Sequence, residues 1–409
     1  MQPIMQSCCG LDVHKSMIKA CIAKGPLDKP PKFEIRTYSA MTSDLLKLKD
    51  WLLENNVESV AMESTGVYWK PVFNILEDRF DVVLANAQYV KKVPGKKSDV
   101  KDCQWIATLQ RSGLIPRSFI PPIEIRQLRD LNRTRRKHVG IMASEKNRLQ
   151  KVLEDANIKL GSVVSDVYGK SSMRMIHALL EKEKLSREEI ADMAKGKLKK
   201  KVDRLVEALN GKVTEHHRFL ISFHLNNIAF QVDQVQVLDI EIQRHMIPFQ
   251  NEDDLIQTIP GISKASAAAI IAEIGVDMSQ FPDDAHLASW AGMCPGNNES
   301  AGIKKSSKIR KGNSFLKGTL AEVSWAASKT KGSEYSAIYH GIAKRRGKKR
   351  ALVALGHCIL RDIYRVLKTG EAYVDQGAEA IYQRNSKARE QSMIRSLEKS
   401  GYSITKVTA

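Results

Sequence analysis

Up to Ile123, short aliphatic and β-branched runs alternate with helical repeats; beyond it the strand-like runs stop. A chain patterned this way builds a sheet flanked by helices first and helical units afterwards. CCGLDVHK, MIKACIAKG and KFEIRTYSA read as strands, broken by GPLDKPP. TSDLLKLKDWLLENN reads as a helix with Thr42 or Ser43 at its N-cap, VESVAMES as a fourth strand, GVYWKPVFNILEDR as a helix and DVVLANA as a fifth strand. A third helix is expected from Asp99 to Gln110, where GLIP stops it. The order is β-β-β-α-β-α-β-α, an α/β layout.

From Ile123, IRQLRDLNRTRRKHVGIMASEKNRLQKVLEDAN is a long, strongly basic helical stretch. Further on, Ile228, Val232, Val235, Leu238, Ile242 and Met246 recur every three or four residues, as one buried helical stripe would. Two long amphipathic helices can pair as a coiled coil, within the chain or between subunits. From Asp253, LIQTIPGISKASAAAIIAEIG reads as helix, turn, helix, resembling a helix-hairpin-helix whose following N-terminus suits a phosphate. A plain glycine turn between packed helices explains that segment equally well. The chain, 409 residues long, exceeds one compact core. The expected domains are 1–122, 123–250, 251–370 and a peripheral tail, 371–409.

Composition matters here chiefly for its charge. With 65 Lys+Arg against 46 Asp+Glu, the net charge is +19, which favours a polyanionic partner through counterion release. No apolar run approaches the roughly 18 residues needed to span a bilayer, and no secretory leader is evident. The six cysteines, Cys8, Cys9, Cys21, Cys103, Cys294 and Cys358, form no CxxC or Cys/His cluster. That excludes a zinc finger, suits a reducing cytoplasm and makes them packing residues.

The acids carry the chemistry. Asp12 lies in the first strand between Leu11 and Val13, a costly position for a carboxylate without a partner or metal. Glu63 ends the fourth strand, and Asp99 and Asp102, three residues apart, would share one face of the third helix. Taken singly, each acid other than Asp12 is most simply an exposed surface carboxylate. With the first and fourth strands as neighbours, the four could meet as oxygen ligands for Mg2+ or Mn2+. Lys91, Lys92, Lys96, Lys97 and Lys101 surround the last pair as candidate backbone contacts.

GLDVHK, AMESTGVY and KKSDVKDCQWIATL, in this order and spacing, resemble the four-acid (DEDD) catalytic domain of the insertion sequence 110 family of bacterial transposases. That domain is RuvC-like, of RNase H-like fold. The family's usual KxDxxDA is KSDVKDC here, with Cys103 replacing a similarly small alanine. PGISKASAAAIIAEIG and FPDDAHLASWAGMCPGNNESAGIKKSSKIRKGN resemble the family's mainly helical C-terminal transposase domain, so the resemblance covers nearly the whole chain. It implies Asp12, Glu63, Asp99 and Asp102 as the metal-binding tetrad and Ser300 as nucleophile, in a site built from the acidic domain of one subunit and the serine of another. Ser306 and Ser307 lie close by but outside the motif.

A serine in a polar, glycine-containing loop is ordinarily a turn residue. Ser300 is distinguished by Lys304, Lys305, Lys308, Arg310 and Lys311, cations able to hold a scissile phosphate. No histidine partner is evident, so a metal-bound species or a carboxylate is left to activate it. A phosphoserine conserves bond energy, so strands can be cut and rejoined without ATP, and the chain has no GxxxxGK[ST] loop for a nucleotide cofactor. The resemblance further implies a structured bridge RNA that pairs with donor and target DNA, and a bacterial cytoplasmic protein associated with the nucleoid when bound to DNA. An active recombinase must hold two duplexes, so a homodimer or homotetramer is expected, with the long helices in contact. Basic helices suit RNA held by shape and phosphates. The rival readings are a metal-dependent, structure-selective nuclease in which Ser300 is a bystander, and a binding protein without activity.

Overall fold

The computed structural model describes residues 2–64, 66–85, 102–296, 298–300, 303–306 and 309–404, with backbone alone at 298–300 and 303–306. Asp99 and Lys91, Lys92, Lys96, Lys97, Lys101 and Lys308 lie outside the described residues. Contacts divide the chain into two units, Met1–Ile120 and Pro121–Ala409, so the basic middle region and the C-terminal region fall together.

The first unit follows the order β1 (Ser7–Val13), β2 (Met17–Lys24), β3 (Lys32–Ser39), α1 (Thr42–Glu54), β4 (Ser59–Glu63), α2 (Trp69–Leu76), β5 (Asp81–Ala85), α3 (Asp102–Arg111). The sheet runs β3-β2-β1-β4-β5. β1 is antiparallel to β2 (Cys9↔Ile22) and parallel to β4 (Leu11↔Met62), which is parallel to β5. Alternation along β1 sends Cys9, Leu11 and Val13 into a core with Leu48, Leu52, Met62 and Leu76, the face covered by α1 and α2. Cys8, Gly10 and Asp12 face α3. Neither Thr42 nor Ser43 caps α1: Met41 is the N-cap and makes no side-chain bond, and both hydroxyl residues sit in the first turn. The chain enters instead through Asp44, whose carboxylate accepts the Ser39 amide at 3.2 Å.

In the second unit, α4 (Ile123–Asp155) packs antiparallel on α8 (Glu215–Met246). Three polar bonds stitch the seam: His217 to Asp155 at 2.9 Å, His224 to Glu145 at 2.8 Å and His138 to Gln231 at 2.8 Å. Between them, α5 (Lys170–Glu181), α6 (Arg187–Met193) and α7 (Val202–Ala208) bury Met175, Ile176, Ile190 and Leu205 against Leu149, Leu153, Ile221 and Leu225. The expected stripe on α8 is only partly covered. Ile228, Ile242 and Met246 are buried, whereas Val232 is exposed. The reason lies in α4, which presents His138 and Arg135 to that stretch, the latter paired with Asp239.

After α9 (Gln250–Gln257) and α10 (Lys264–Ile274) come α11 (Asp284–Trp290), β6 (Asn298–Ser300), β7 (Ile303–Ser306), α12 (Ser314–Ala327), α13 (Glu334–Arg346), α14 (Lys348–Thr369) and α15 (Gly377–Lys399). Gly261, in the PGIS turn, has φ +91°, and a Cβ there would come within 2.6 Å of the Val323 carbonyl and 2.7 Å of the Ala327 amide. That turn therefore packs directly on α12, and Ser263 caps α10 with a reciprocal bond to Ser266. The expectation that strands end at Ile123 is corrected by the β6–β7 hairpin. The region reads as a polar, glycine-containing loop, and the loop's flanks pair as two short strands.

Candidate active site: acids at the strand ends and a serine hairpin

In the first unit the direction of α3 decides where the acids go. Its C-terminal end is tied to the end of the sheet where β1 and β4 start and β2 finishes. Buried Arg111 donates to the carbonyls of Met5 (3.2 Å), Gly25 (2.9 Å) and Pro26 (2.6 Å), and Gln110 donates to the Ser59 hydroxyl at 2.8 Å. Midway, α3 rests on Gly10, where a Cβ would lie 2.3 Å from both the Ala107 amide and the Cys103 carbonyl. Thus α3 runs antiparallel to β1 and β4, and its first residue, Asp102, lies over their C-terminal ends. Asp12 is two residues beyond Gly10 on the same face, and Glu63 is two beyond Ala61, which packs with Ile106 and Leu109 of α3. Asp102 also sits where a helix N-terminus favours a carboxylate.

All three carboxylates are half-buried. His14 Nε2 lies 3.0 Å from Asp12 Oδ2, and Lys19 stands opposite Asp12 across the β1–β2 pair. The sequence reading missed His14, although D-V-H in a strand puts residues i and i+2 on one face. Carboxylates are the oxygen donors a divalent cation takes, and the imidazole beside Asp12 is placed to orient its carboxylate. Among the described residues no three acidic, histidine or cysteine side chains yet converge on one point. Cys103, in place of the alanine, is buried with Cys8, Cys21, Ala23 and Ala107. Burial pushes the Cys8 thiol up to about 12, the behaviour of a packing residue and not of a nucleophile.

Ser300 ends β6, its backbone paired with Ile303, and Glu299 pairs with Lys304. Lys305 also lies in β7, and Ser306 ends that strand, whereas Ser307 falls outside the described residues. Pro295 bridges to Ile309 below the hairpin, and Arg310 and Lys311 follow, exposed. The hairpin's base is closely held. Lys317 Nζ, its pKa lowered by burial, donates to the Arg310 carbonyl at 2.6 Å, and Gly312 packs so closely that a Cβ would be 2.4 Å from the Ala291 carbonyl. Asn313 Oδ1 caps α12 through the Phe315 and Leu316 amides, both at 3.1 Å, while its amide group donates to Glu273.

Glu273 is almost wholly buried and takes both Arg133 donors at 2.8 Å. That bond raises the Arg133 pKa, while burial lowers that of Arg129, which donates to the Ala272 and Glu273 carbonyls at 2.9 Å. The Arg133 guanidinium also stacks 4.6 Å from the Phe315 ring centre. One network therefore joins α4, α10 and the start of α12, below the serine hairpin. Beside the hairpin base, a cavity of about 860 Å³ is lined by Pro295, Ile309, Ile342 and Val353 together with Arg346 and Arg350.

An α/β unit with acids at its strand ends, followed by a basic helical unit, is an organisation suited to cutting nucleic acid, and comparison with known families makes it that of a transposase. A model of DEDD-type insertion sequence 110 transposases matches residues 9–158, and one described as "Transposase IS116/IS110/IS902 family" matches residues 253–340. Between them they cover more than half of the chain, which belongs to the insertion sequence 110 family of transposases. It is thus an enzyme that cuts and rejoins DNA. Comparison with curated proteins finds no match. Among the described residues no helix is long and apolar enough to cross a membrane.

Proposed function

We propose that this transposase cuts and rejoins DNA through a phosphoserine at Ser300. Asp12, Glu63, Asp99 and Asp102 form its site for Mg2+ or Mn2+, and a structured bridge RNA selects donor and target DNA. The observation that carries the reading is the antiparallel course of α3 over β1 and β4, with Asp102, Asp12 and Glu63 at one end of the sheet. Regions 1–122 and 251–370 are assigned the acids and the serine, and 123–250 the holding of nucleic acid.

In the proposed reaction the Ser300 hydroxyl oxygen attacks phosphorus and its proton passes to a carboxylate. The bond from phosphorus to one deoxyribose oxygen breaks, and that strand leaves with a free hydroxyl. A hydroxyl from the new partner strand then attacks the phosphoserine, restoring a phosphodiester and the serine without net hydrolysis. When bound, the divalent cation would neutralise charge developing on the phosphate oxygens. Lys304, Lys305, Lys308, Arg310 and Lys311 are proposed to share that task, and Lys97 and Lys101 to hold backbones near the acids. The net charge of +19 supports a partner as anionic as RNA plus DNA.

The test uses the protein with its co-expressed RNA, Mg2+ and end-labelled donor and target DNA. Label retained on protein in a denaturing gel, lost in both Ser300→Ala and Asp12→Ala, is the expected result. Free cleaved ends that survive Ser300→Ala would mean metal-dependent hydrolysis and overturn the role of the serine.

A further inference from the structure

The cavity of about 860 Å³ beside the serine hairpin has apolar walls and a cationic rim. Met293, Pro295 and Ile309 line it from the hairpin side, and Ile342, Val353 and Ala354 from α13 and α14. Arg346, Lys349 and Arg350 complete the lining, and among its described residues none is acidic. These three belong to the run KRRGKKR, in which Gly347, at φ +84°, turns the chain sharply from α13 into α14. Lys344, Arg345 and Lys348 are exposed at the same corner, and none of the six cations forms an ion pair among the described residues. Like charges crowded this closely repel one another, and an anion relieves them.

Phosphates by themselves would account for the rim but not for an apolar chamber of this size. Its volume falls within the range of about 300–1,000 Å³ that takes a small organic group, so a nucleobase fits inside with its phosphates on the rim. His357, also in the wall, supplies polarity of the right kind. Burial and then Arg361 lower its pKa, so the neutral ring offers one donor and one acceptor nitrogen to a base edge. Pro295, which bridges to Ile309 at the hairpin base, is five residues from Ser300 (300 − 295 = 5), a reach of at most about 18 Å. At roughly 3.4 Å per nucleotide along a strand, that is about five nucleotides from a phosphate held at Ser300.

We propose that this cavity receives one nucleobase extruded from the DNA close to the cut, while Arg346, Lys349 and Arg350 hold the phosphates that flank it. No covalent bond changes in this step: the base leaves its stack and its partner, and the protein replaces those contacts. A strand anchored by one base keeps its cut end beside the hairpin until rejoining. This occupant presupposes the reading that the serine hairpin acts on a DNA phosphate.

The test uses the full-length Ser300→Ala protein with its co-expressed RNA and DNA labelled one position at a time around the mapped cut. The label is a base analogue that stacking quenches, 2-aminopurine or pyrrolocytosine. Binding should brighten it severalfold at one position and not at the neighbouring ones. Ala354→Phe and Val353→Phe, each filling the cavity, should abolish the rise with helix content and thermal unfolding unchanged. With Ser300 present, Ala354→Phe should slow cleavage about tenfold or more, and an abasic nucleotide at the brightened position should restore the rate. A folding defect would show no such rescue. The serine reading and this one fail separately: brightening at one position beside free, serine-independent ends overturns only the former, and an adduct at Ser300 without any brightening overturns only the latter. Brightening that survives both filling variants, or an abasic site that restores nothing, would overturn the proposal. So would a halved solution mass in the filling variants, which would assign the cavity to a second copy of the chain.

Discussion

Gly10 and Ala107 meet backbone to backbone: a Cβ on Gly10 would come within 2.3 Å of the Ala107 amide nitrogen. No side chain fits there, so α3 lies directly on β1. That contact fixes the height of Asp102 relative to Asp12. Replacing Gly10 with alanine should push α3 off the sheet, cost about 1–3 kcal/mol and impair strand cleavage. The urea unfolding midpoint checks it. Gly140, mid-helix with nothing near its missing Cβ, is the control: Gly140→Ala should stabilise by about 0.5–1 kcal/mol.

His14 holds the Asp12 carboxylate from the side at 3.0 Å. If Asp12 is a metal ligand, His14 orients it, and His14→Ala should raise the Mg2+ needed for half-maximal cleavage about 10–100-fold. His14→Gln, which keeps a donor, should recover part of the loss. A Mg2+ titration of cleavage rate gives the answer, and an unchanged midpoint with a lower maximal rate would assign His14 a different task.

Glu273 is the buried anion on which Arg133 and the Asn313 side chain depend. Glu273→Ala leaves those donors unmatched and should cost about 3–5 kcal/mol. Glu273→Gln, which keeps the shape and one acceptor, should cost less. Thermal unfolding of the two variants beside wild type tests the order.

Acid stability should carry the mark of Asp44. Lys47 first, then Ser39, holds its carboxyl at about 2, below the ordinary 3.8. Because the folded value is depressed, this contribution is complete above the unfolded value and is lost as pH falls through the folded one. The difference in unfolding midpoint between wild type and Asp44→Asn should be constant above about pH 5 and shrink between about pH 4 and 2. A difference that stays flat down to pH 2 would show that Asp44 is not depressed by folding.

Some features were legible in the sequence because they are local. Period-two and period-3.6 patterns depend only on neighbouring residues, and so gave the five strands of the first unit's sheet and the first helices to within a few positions. Asp12, wedged between Leu11 and Val13, stood out because burying a charge is costly wherever the strand ends up. The two separated motif blocks identified the family for the same reason: motifs are read along the chain.

Non-local relations had to come from the folded chain. Nothing in LIQTIPGISK says that Gly261 must touch α12, and nothing in NNESAGIKKS says that its flanks are clamped through Asn313 to Glu273. The stripe on α8 was misjudged because the partner sets what is covered: polar Arg135 and His138 on α4 leave Val232 in solvent, while a second apolar row faces outward. Sequence alone thus determined which residues could carry chemistry. The tertiary structure decided which of them share an end of the sheet, because strand order and helix direction are set by packing between segments far apart in the chain.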